Sequence, residues 1–392
     1  MSKVNVKNVI KSELCIGCGL CCVVDDSVKM EENQGLLQPT TIPKSIANYC
    51  PSLGYDLKGL GCRLFLDSQY LFELGWFKQL LALRSSNTLT LSNASSGGIM
   101  TEIAKYALDT HMVDGVICTK YECGTDKVRP LTFIAESYDE LLMAQGSKYC
   151  PTSTLMMLKE VQRNPQKKYL LIGTPCQIAG FRLYSENNEN IKKQIPLCMS
   201  NFCGGYRDFR ELDYFIHNVA GYKRAVFFRH RGGGQPGGMR IVSESGEVFS
   251  YPYPEYAKLS HFVKVERCSL CMDAVGELAD ISCGDAWLES LKADGPWSIA
   301  IVRSTLAKTI VDNMVRKGLL NLKRELLPEE VIKSQKNNLT SKKYRQYYRI
   351  ILRSLLLKPS PNWYNNYPVK QGSIFSEAKI FFSKERAKHK SQ

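Results

Sequence analysis

Short apolar runs alternate with amphipathic segments through the middle of the chain. Tyr169–Gly173 has the continuous apolar character of a buried strand, and residues 115–120 also predict a strand. One helical pattern runs from residue 95 to residue 109, and another covers residues 153–162. Alternation of strand and helix is typical of α/β proteins, so the sequence predicts a mixed sheet flanked by helices.

Further elements complete this pattern. An amphipathic helix is predicted over residues 69–83, and another helix begins near Gln177. Glycine-rich loops near residues 232–238 separate the strands of a more antiparallel section. The other predicted strands are 195–199, 225–230, 239–242, 248–251, 279–282 and 298–302. The pattern after residue 305 is mainly helical.

Three regions follow from these patterns. Residues 1–62 are polar and rich in cysteine, and they predict a small ferredoxin-like module whose metal would supply folding energy. Residues 63–305 form the predicted central α/β domain. Residues 306–392 form a basic, mainly helical extension.

The net charge of +14 lies almost entirely in that extension, because residues 308–392 contain 19 Lys and Arg against 6 Asp and Glu. A basic segment of this kind is usually a solvated surface, or a weak contact with an anionic partner or membrane surface. No nucleic-acid-binding motif accompanies it, so we expect no nucleic-acid partner.

The cysteine content points to a reducing compartment. The N-terminal residues lack the apolar stretch of a secretory signal, and no window reaches the roughly 18 apolar residues of a membrane-spanning helix. We therefore expect a cytoplasmic protein. In that compartment, 15 cysteines indicate metal binding or catalysis rather than disulfides.

The first cysteine group has the C-x2-C-x2-C spacing of a ferredoxin-type 4Fe–4S cluster. Its members are Cys15, Cys18 and Cys21. Gly17 and Gly19 let the loop curl around a cluster, and Cys50, before a proline, is the candidate fourth ligand. Cys22 is an alternative to Cys21, although the spacing favours Cys21. Four thiolates also suit zinc, but the tight glycine-bearing loop favours iron–sulfur.

A second cysteine group is spread over three segments. Cys268 and Cys271 form a C-x2-C pair that suits zinc, a redox dithiol or half of a cluster site. Cys176 and Cys203 follow predicted strands, where functional residues of α/β folds collect. Cys283 is an alternative ligand. Two groups of four thiolates would hold two 4Fe–4S clusters, which predicts a protein that moves single electrons. Other cysteines in or beside apolar runs are expected to be buried structural thiols: Cys118, Cys150 and Cys198.

A serine–glycine segment precedes the helix predicted to end at residue 109. It consists of Ser95, Ser96, Gly97 and Gly98. Free N–H groups at a helix start can bind phosphate, although an ordinary N-cap has the same sequence. Ser147 and Lys148 lie in a Gly-Ser-Lys-Tyr segment that is either a surface loop or a source of a cation for phosphate or flavin. The chain has no Walker loop, and the G-x-G-x-x-G spacing at residues 232–237 lies in a predicted loop between strands rather than at the start of a helix, so it is not the dinucleotide-binding fingerprint.

These segments together resemble the β-subunit family of coenzyme F420-reducing hydrogenase and formate dehydrogenase. The resemblance runs from about Cys15 to Val302. It is carried by the segments at 95–98, 146–149, 173–177, 202–203, 268–271 and 277–287. It implies FAD beside a 4Fe–4S cluster held by Cys176, Cys203, Cys268 and Cys271. The residues that we assign to FAD are Ser95, Ser96, Gly97, Gly98, Ser147, Lys148, Thr174 and Gln177.

The resemblance also implies a function. Family members with an N-terminal ferredoxin module, such as 7-hydroxymethyl chlorophyll reductase, are similar in layout, and others resemble accessory reductases of polysaccharide biosynthesis. We expect electrons to pass between a ferredoxin or another electron-transfer protein, two 4Fe–4S clusters and FAD. The flavin would then reduce or oxidise a small molecule or a deazaflavin. The alternatives are a non-catalytic electron-transfer subunit of a larger complex and a zinc-stabilised interaction protein.

Overall fold

A computed structural model of the chain describes residues 3–364 and 373–390. The strands are β1 Met30–Asn33, β2 Leu36–Pro39, β3 Gln69–Leu71, β4 Gly75–Phe77, β5 Gln79–Ser85, β6 Gly115–Cys123, β7 Val128–Ala135, β8 Tyr169–Gly173, β9 Leu197–Asn201, β10 Ala225–Arg229, β11 Gly238–Ser243, β12 Val248–Pro252, β13 Ile281–Asp285, β14 Ser298–Val302 and β15 Leu320–Glu325.

Helices connect and cover these strands. They are α1 Leu20–Val24, α2 Leu57–Leu64, α3 Thr88–Asn93, α4 Ile99–Asp109, α5 Tyr138–Met143, α6 Leu158–Arg163, α7 Pro175–Ser185, α8 Glu189–Gln194, α9 Phe209–Tyr214, α10 Glu266–Ser269, α11 Glu289–Lys292, α12 Thr305–Arg316, α13 Pro328–Ser334, α14 Lys336–Leu339, α15 Gln346–Leu355 and α16 Ile374–Lys390.

The main sheet has eight strands in the order β15-β5-β14-β13-β9-β8-β6-β7. Strands β13, β9, β8 and β6 are mutually parallel, and the outer strands pair antiparallel. The predicted mixed α/β sheet is therefore confirmed. Because β8 and β9 are parallel neighbours, their carboxyl ends meet at one edge, and the segments that carry Cys176 and Cys203 leave the sheet side by side.

Apolar residues of the parallel strands pack on both faces of the sheet. Leu170 packs with Ile103 and Ile310 on one face, whereas Leu171 packs with Phe181 on the other. Alternate strand residues point to opposite faces, so a strand covered on both sides needs a continuous apolar run. That run is the pattern from which the strand was predicted.

The helix predicted over residues 69–83 is wrong, because this segment forms β3, β4 and β5. Gly75 has φ +73°, and a Cβ there would lie 2.7 Å from Glu277 Cγ, so the chain turns where a helix would have continued. Residues 80–83 are buried, and their strand β5 lies between β14 and β15. A short run of leucines fits a buried strand as well as a helix.

The main sheet also extends beyond residue 305. Strand β15, which the sequence did not predict, pairs with β5 at the edge of the sheet. Most of its residues are exposed and half of them are charged, as in many edge strands, so the segment lacks the apolar signal of a strand. The division into three domains stays a prediction.

The N-terminal module shares its core with the rest of the molecule. Leu14 and Tyr55 belong to the same buried cluster as Phe181 of α7 and Trp363 of the extension. The backbone N–H of Asn362 also donates to the carbonyl of Leu53, at 2.7 Å. Of the helices within 3–364 and 373–390, none is long and apolar enough to cross a membrane.

Part of the basic extension is interior rather than solvated, which corrects the expectation from its charge. The side chains of Lys343 and Arg353 are buried. Lys343 pairs with Glu277 at 2.5 Å, and Arg353 pairs with Glu266 at 2.6 Å. Both cations form ion pairs with acidic side chains from earlier segments of the chain. A count of charged residues in the sequence does not show such pairs.

Candidate cofactor site

The first cysteine loop has a conformation that requires glycine. Gly17 and Gly19 have φ of +67° and +84°. A Cβ at Gly17 would lie 2.6 Å from the carbonyl oxygen of Leu37, and one at Gly19 would lie 2.4 Å from Met156 Cγ. Ser153 Oγ donates to the Gly17 carbonyl at 2.9 Å, so the central region holds the loop in place.

The four thiols of the first predicted group interact with one another. They are Cys15, Cys18, Cys21 and Cys50. Burial raises the pKa of Cys15 to about 12, and the neighbouring Cys50 adds to the effect. Burial, followed by Cys50 and Cys15, likewise raises the pKa of Cys21. Buried thiols held together in this way are poor acids until a metal or cluster replaces their protons.

Cys22 has a different environment. Its side chain is buried, and the charged side chain that acts on its thiol is Lys159 rather than Cys15 or Cys50. This geometry agrees with the spacing argument for Cys21. The choice of ligand stays a prediction, since a cluster would have to be observed to test it.

The second predicted group meets at the carboxyl edge of the sheet. Cys176 follows β8 at the start of α7, and Cys203 follows β9. The N–H of Cys203 donates to the Ala274 carbonyl at 2.9 Å, which fixes the loop after Cys271 against this edge. Burial raises the pKa of Cys176 to about 12, with contributions from the nearby Cys271, Cys203 and Cys268. The structure thus brings together four cysteines from three distant segments.

Cys283 lies apart from these interactions. It lines the cavity described below, and burial raises the pKa of its thiol while Arg303 opposes that rise. Cys118, Cys150 and Cys198 are buried, as expected, but Cys118 and Cys150 also line this cavity, so a purely structural role for them stays a prediction.

Buried hydrogen-bond donors without a partner lie next to both cysteine groups. In the described part of the chain, the buried Tyr55 hydroxyl has no hydrogen-bond partner, and its charged neighbours include Cys271 and Cys176. Nε and Nη1 of Arg267 are unpartnered in the same way, and this guanidinium acts on Cys50. Buried donors are costly when unpaired, so an anionic, sulfide-bearing group would fit here.

Zinc and a 4Fe–4S cluster place different demands on four thiolates. Among residues 3–364 and 373–390, no three His, Cys, Asp or Glu side chains are arranged to hold one metal ion. Zinc draws its thiolates to within about 2.3 Å of a single centre. Each thiolate of a 4Fe–4S cluster binds a different iron atom, so the sulfurs lie farther apart.

Tyr206 lies between the two cysteine groups. Its hydroxyl donates to the carbonyl of Ile16 at 3.0 Å, inside the first loop. Its own carbonyl accepts from the N–H of Val265, at 3.1 Å, shortly before Cys268. Burial raises the pKa of Tyr206, and nearby cysteines of both groups raise it further, Cys268 most strongly. One aromatic side chain therefore spans the gap between the groups.

A cavity of about 310 Å³ opens beside the second group. Its wall contains most of the residues assigned to FAD and two of the predicted cluster ligands. These are Ser95, Ser96, Gly98, Ser147, Lys148, Thr174, Gln177, Cys176 and Cys203. Gly97 lies behind the wall, where its N–H donates to Ser298 Oγ at 2.8 Å.

The N-terminus of α4 faces this cavity. Gly98, the N-cap, has φ +70°, and a Cβ at Gly97 would lie 2.7 Å from the Leu83 carbonyl oxygen, so both positions require glycine. Ile99 and Thr101 of the first helical turn also line the wall. The first N–H groups of a helix have no intrahelical acceptor, which makes this a suitable place for a phosphate.

Lys148 and Gln177 shape the wall through bonds to the backbone. Lys148 Nζ donates to the carbonyls of Gly146 at 3.0 Å and Gln145 at 3.2 Å, and burial lowers the pKa of Lys148 to about 8. Gln177 Oε1 accepts from the N–H of Thr174 at 2.9 Å. Lys148 thus already has acceptors, a constraint that the sequence did not indicate.

A buried ion pair in the wall was missed by sequence reasoning. Arg231 forms a bidentate pair with Asp285, at 2.7 and 2.8 Å, and also donates to the Ser95 carbonyl at 2.8 Å. Arg231 follows β10 before a glycine-rich loop, and Asp285 ends β13. Their positions after strand ends were the signal that could have identified them.

These features define a cofactor-binding α/β protein with two convergent cysteine groups. Residues 80–159 and 166–325 match the N-terminal and C-terminal parts of the family described as coenzyme F420 hydrogenase/dehydrogenase, beta subunit. The chain belongs to this family. The first cysteine group and everything after residue 325 lie outside the matched segments.

Curated relatives include several oxidoreductases. The coenzyme F420 hydrogenase subunit beta of Methanothermobacter thermautotrophicus is 27% identical over 254 residues, which cover 64% of this chain and 85% of that protein. The coenzyme F420-dependent sulfite reductase of Methanocaldococcus jannaschii is 23% identical, covering 81% of this chain and 48% of that one. The 7-hydroxymethyl chlorophyll a reductase of Oryza sativa is 28% identical, covering 58% of this chain and 46% of that one.

A solved structure has the same fold. A chain of the F420-reducing [NiFe] hydrogenase complex from Methanosarcina barkeri superposes with a TM-score of 0.57 at 22% identity. The match covers 74% of this chain and 98% of that chain. The predicted family and fold class are therefore confirmed.

Proposed function

We propose that this chain is an iron–sulfur flavoprotein oxidoreductase. It passes electrons between a ferredoxin-like donor, two 4Fe–4S clusters and FAD, and it reduces or oxidises a small substrate or a deazaflavin coenzyme. The observation that carries this proposal is the cavity, whose wall includes Cys176, Cys203 and the start of α4. A cluster and a flavin bound there would be neighbours. The relatives named above are oxidoreductases, which supports the class.

The residues have separate roles in this proposal. The first cluster would be held by Cys15, Cys18, Cys21 and Cys50, and the second by Cys176, Cys203, Cys268 and Cys271. The N-terminus of α4 would bind the pyrophosphate of FAD. A flavin exchanges one or two electrons, whereas a cluster exchanges one. The chain's contribution is to place the two kinds of cofactor together and to shield them from solvent.

Tyr206 supports the proposed order of the centres. It contacts the first loop and lies beside the second group, so the two groups are neighbours. The cavity wall contains two cysteines of the second group, Cys176 and Cys203, but only Ile16 of the first loop, so the second group is the one in direct contact with the cavity. The N-terminal module is then where a donor would deliver electrons. An accessory role in polysaccharide biosynthesis is one context for the proposed reductase.

A non-catalytic electron-transfer subunit is the alternative function. It is favoured by the relatives that are named as hydrogenase subunits, and by the solved chain, which belongs to a complex. The two functions share the same cofactors. They differ in whether the isolated chain turns over a substrate.

The first experiment is anaerobic purification followed by iron, sulfide and flavin analysis. We expect about eight iron and eight acid-labile sulfide atoms per chain, as two 4Fe–4S clusters require, together with FAD. Reduction by dithionite and turnover of an added deazaflavin, nicotinamide or ferredoxin would favour the enzyme. Reduction without turnover would favour the subunit, and a colourless, zinc-loaded protein would contradict both.

The flavin site is tested by Gly98→Ala. A methyl group there would lie 2.9 Å from Thr90 Cγ2 and would strain the φ of +70°. We expect the distorted helix start to weaken FAD binding about tenfold, roughly 1.4 kcal/mol. Gly246→Ala is the matched control, because Gly246 has φ +88° but nothing within 4 Å of the added Cβ. Equal flavin content in the two variants would contradict the assignment.

A further inference from the structure

Lys342 brings a buried cation from the C-terminal extension to the second cysteine group. It lies beyond the segment that matches the family, which ends at residue 325. Its side chain is buried, and Nζ donates to the Asp273 carbonyl oxygen at 2.8 Å. The same oxygen accepts from Cys271 Sγ at 3.4 Å. The Lys342 ammonium and the Cys271 sulfur therefore contact the same oxygen. The distance between them is at most the sum of the 2.8 Å and 3.4 Å contacts.

Other thiols of the group act on the same ammonium. Burial opposes its charge, but Cys203, Cys271 and Cys268 outweigh burial and raise the pKa of Lys342 above the ordinary lysine value. Lys342 therefore faces three of the four predicted ligands of the second cluster.

The surroundings of Lys342 contain more positive than negative side chains. The Asp273 carboxylate accepts from three backbone N–H groups that follow it, at 2.7 to 3.1 Å, and Glu277 pairs with Lys343. Arg303 is buried near both carboxylates. Lys264 is a fourth cation, close enough to Lys342 for their charges to repel, whereas Asp280 near Arg303 is already paired with Arg182. Four cations thus face the carboxylates of Asp273 and Glu277. An uncompensated buried cation is costly, so an anionic group on the thiol side would balance it.

We propose that Lys342 is a positioning residue that raises the reduction potential of the second cluster. The inference rests on the proposed function. Reduction adds one electron to the cluster and neither forms nor breaks a bond. A fixed positive charge in a poorly screened interior attracts the more negative, reduced form more strongly, so it shifts the equilibrium toward reduction. Members of the family that lack this extension would need another source of that charge.

The test is an EPR-monitored redox titration of the intact protein with and without Lys342→Met. We expect the ratio of reduced to oxidised second cluster at a fixed potential to fall about tenfold, which is 59 mV for a one-electron couple. The first cluster serves as an internal reference. Lys342→Arg keeps the charge and should keep the potential. Lys336→Met removes an exposed lysine of the same extension and should also leave the potential unchanged.

A second variant adds a negative charge by an isosteric change. Asn338 Oδ1 would lie 3.0 Å from a Cβ at Gly204, so its amide abuts the loop that carries Cys203. Asn338→Asp should lower the same potential without removing a buried side chain. Its outcome does not depend on Lys342, so Lys342→Gln, which removes the charge but keeps a donor for the Asp273 carbonyl, is the variant that keeps the inference testable if Lys342→Met does not fold.

Iron and sulfide analysis separates the possible failures. A wild-type protein without a second cluster would overturn both the proposed function and this inference. Two intact clusters whose potentials are unchanged in Lys342→Met, or in Lys342→Gln if Lys342→Met does not fold, would overturn the inference alone. A lower potential in the neutral Lys342 variant, with Lys342→Arg unchanged, would establish the role of the charge.

Discussion

His230 shows how strongly the interior controls a single titratable group. It is buried, and aromatic rings of Phe228, Tyr149 and Tyr121 surround it at centroid distances of 4.8 to 5.6 Å. The Tyr121 hydroxyl is hydrogen-bonded to Nδ1. Burial lowers the pKa of His230 to about 3, and the positive charges of Arg207 and Lys148 act in the same direction. The imidazole therefore stays neutral in the folded protein.

This neutrality predicts a loss of stability in mild acid. Below pH 6.5 the unfolded chain binds a proton at His230 that the folded chain does not bind, so unfolding becomes easier as pH falls. Between pH 7.5 and pH 5.5 the wild type should lose about 1.4 kcal/mol relative to His230→Phe. Denaturant unfolding of both proteins at the two pH values measures this difference. Parallel losses in the two proteins would show that His230 is not responsible.

Cysteine spacing and strand ends make some site residues predictable, whereas Lys342 is not. A set of cysteines can be recognised in a sequence because its spacing matches that of a known metal or cluster site. A lysine in a basic segment is normally solvated, and nothing local distinguishes the buried Lys342 from the exposed Lys336. Its role depends on contacts with Asp273, which is distant in sequence.

Elements were predicted best where the sheet is covered on both faces. Strand β8 has a continuous apolar run and was found, whereas the charged edge strand β15 was not. Strand β5 also has an apolar run but was assigned to a helix, because such a run fits both structures. Pairing with neighbours distant in sequence decides between them, and a single sequence does not contain that information.

Helix α1 allows a direct test of the first ligand set. Cys21 and Cys22 are consecutive in this helix, so their side chains diverge by about 100° and cannot both face Cys15. We expect Cys21→Ser to remove about half of the iron and sulfide, as loss of one of two clusters requires. Cys22→Ser should retain the full content. Iron and sulfide assays decide, and the reverse result would exchange the roles of the two cysteines.

At the scale of the whole molecule, Trp363 connects three regions. Its Nε1 donates to the Leu270 carbonyl at 3.1 Å, between the two cysteines of the C-x2-C pair. Its ring lies 5.2 Å from that of Tyr55 in the N-terminal module, and the Arg267 guanidinium lies 4.9 Å from its centroid. The indole is fully buried. The module, the cysteine pair and the extension are therefore parts of one packed interior.

Trp363→Ala should destabilise the whole chain rather than one region. Loss of a buried tryptophan costs about 3–5 kcal/mol. Trp287→Ala is the matched control, because Trp287 is 37% exposed and should cost much less. Denaturant unfolding followed by tryptophan fluorescence and circular dichroism measures both variants. Coincident transitions are expected, and an extension that unfolds separately would contradict the shared interior.

The shared interior also bears on how a donor would reach the first cysteine group. A redox module on a loose linker can act as a tethered shuttle that swings between its partners. Here Leu14 and Tyr55 pack in the core that contains Phe181, so the described part of the module, residues 3–62, is held against the rest of the molecule. In the proposed function, the N-terminal module would be a fixed docking site for the electron donor. Electron delivery would then depend on how often the donor collides with this one surface. A longer linker between the module and the central region would not accelerate it.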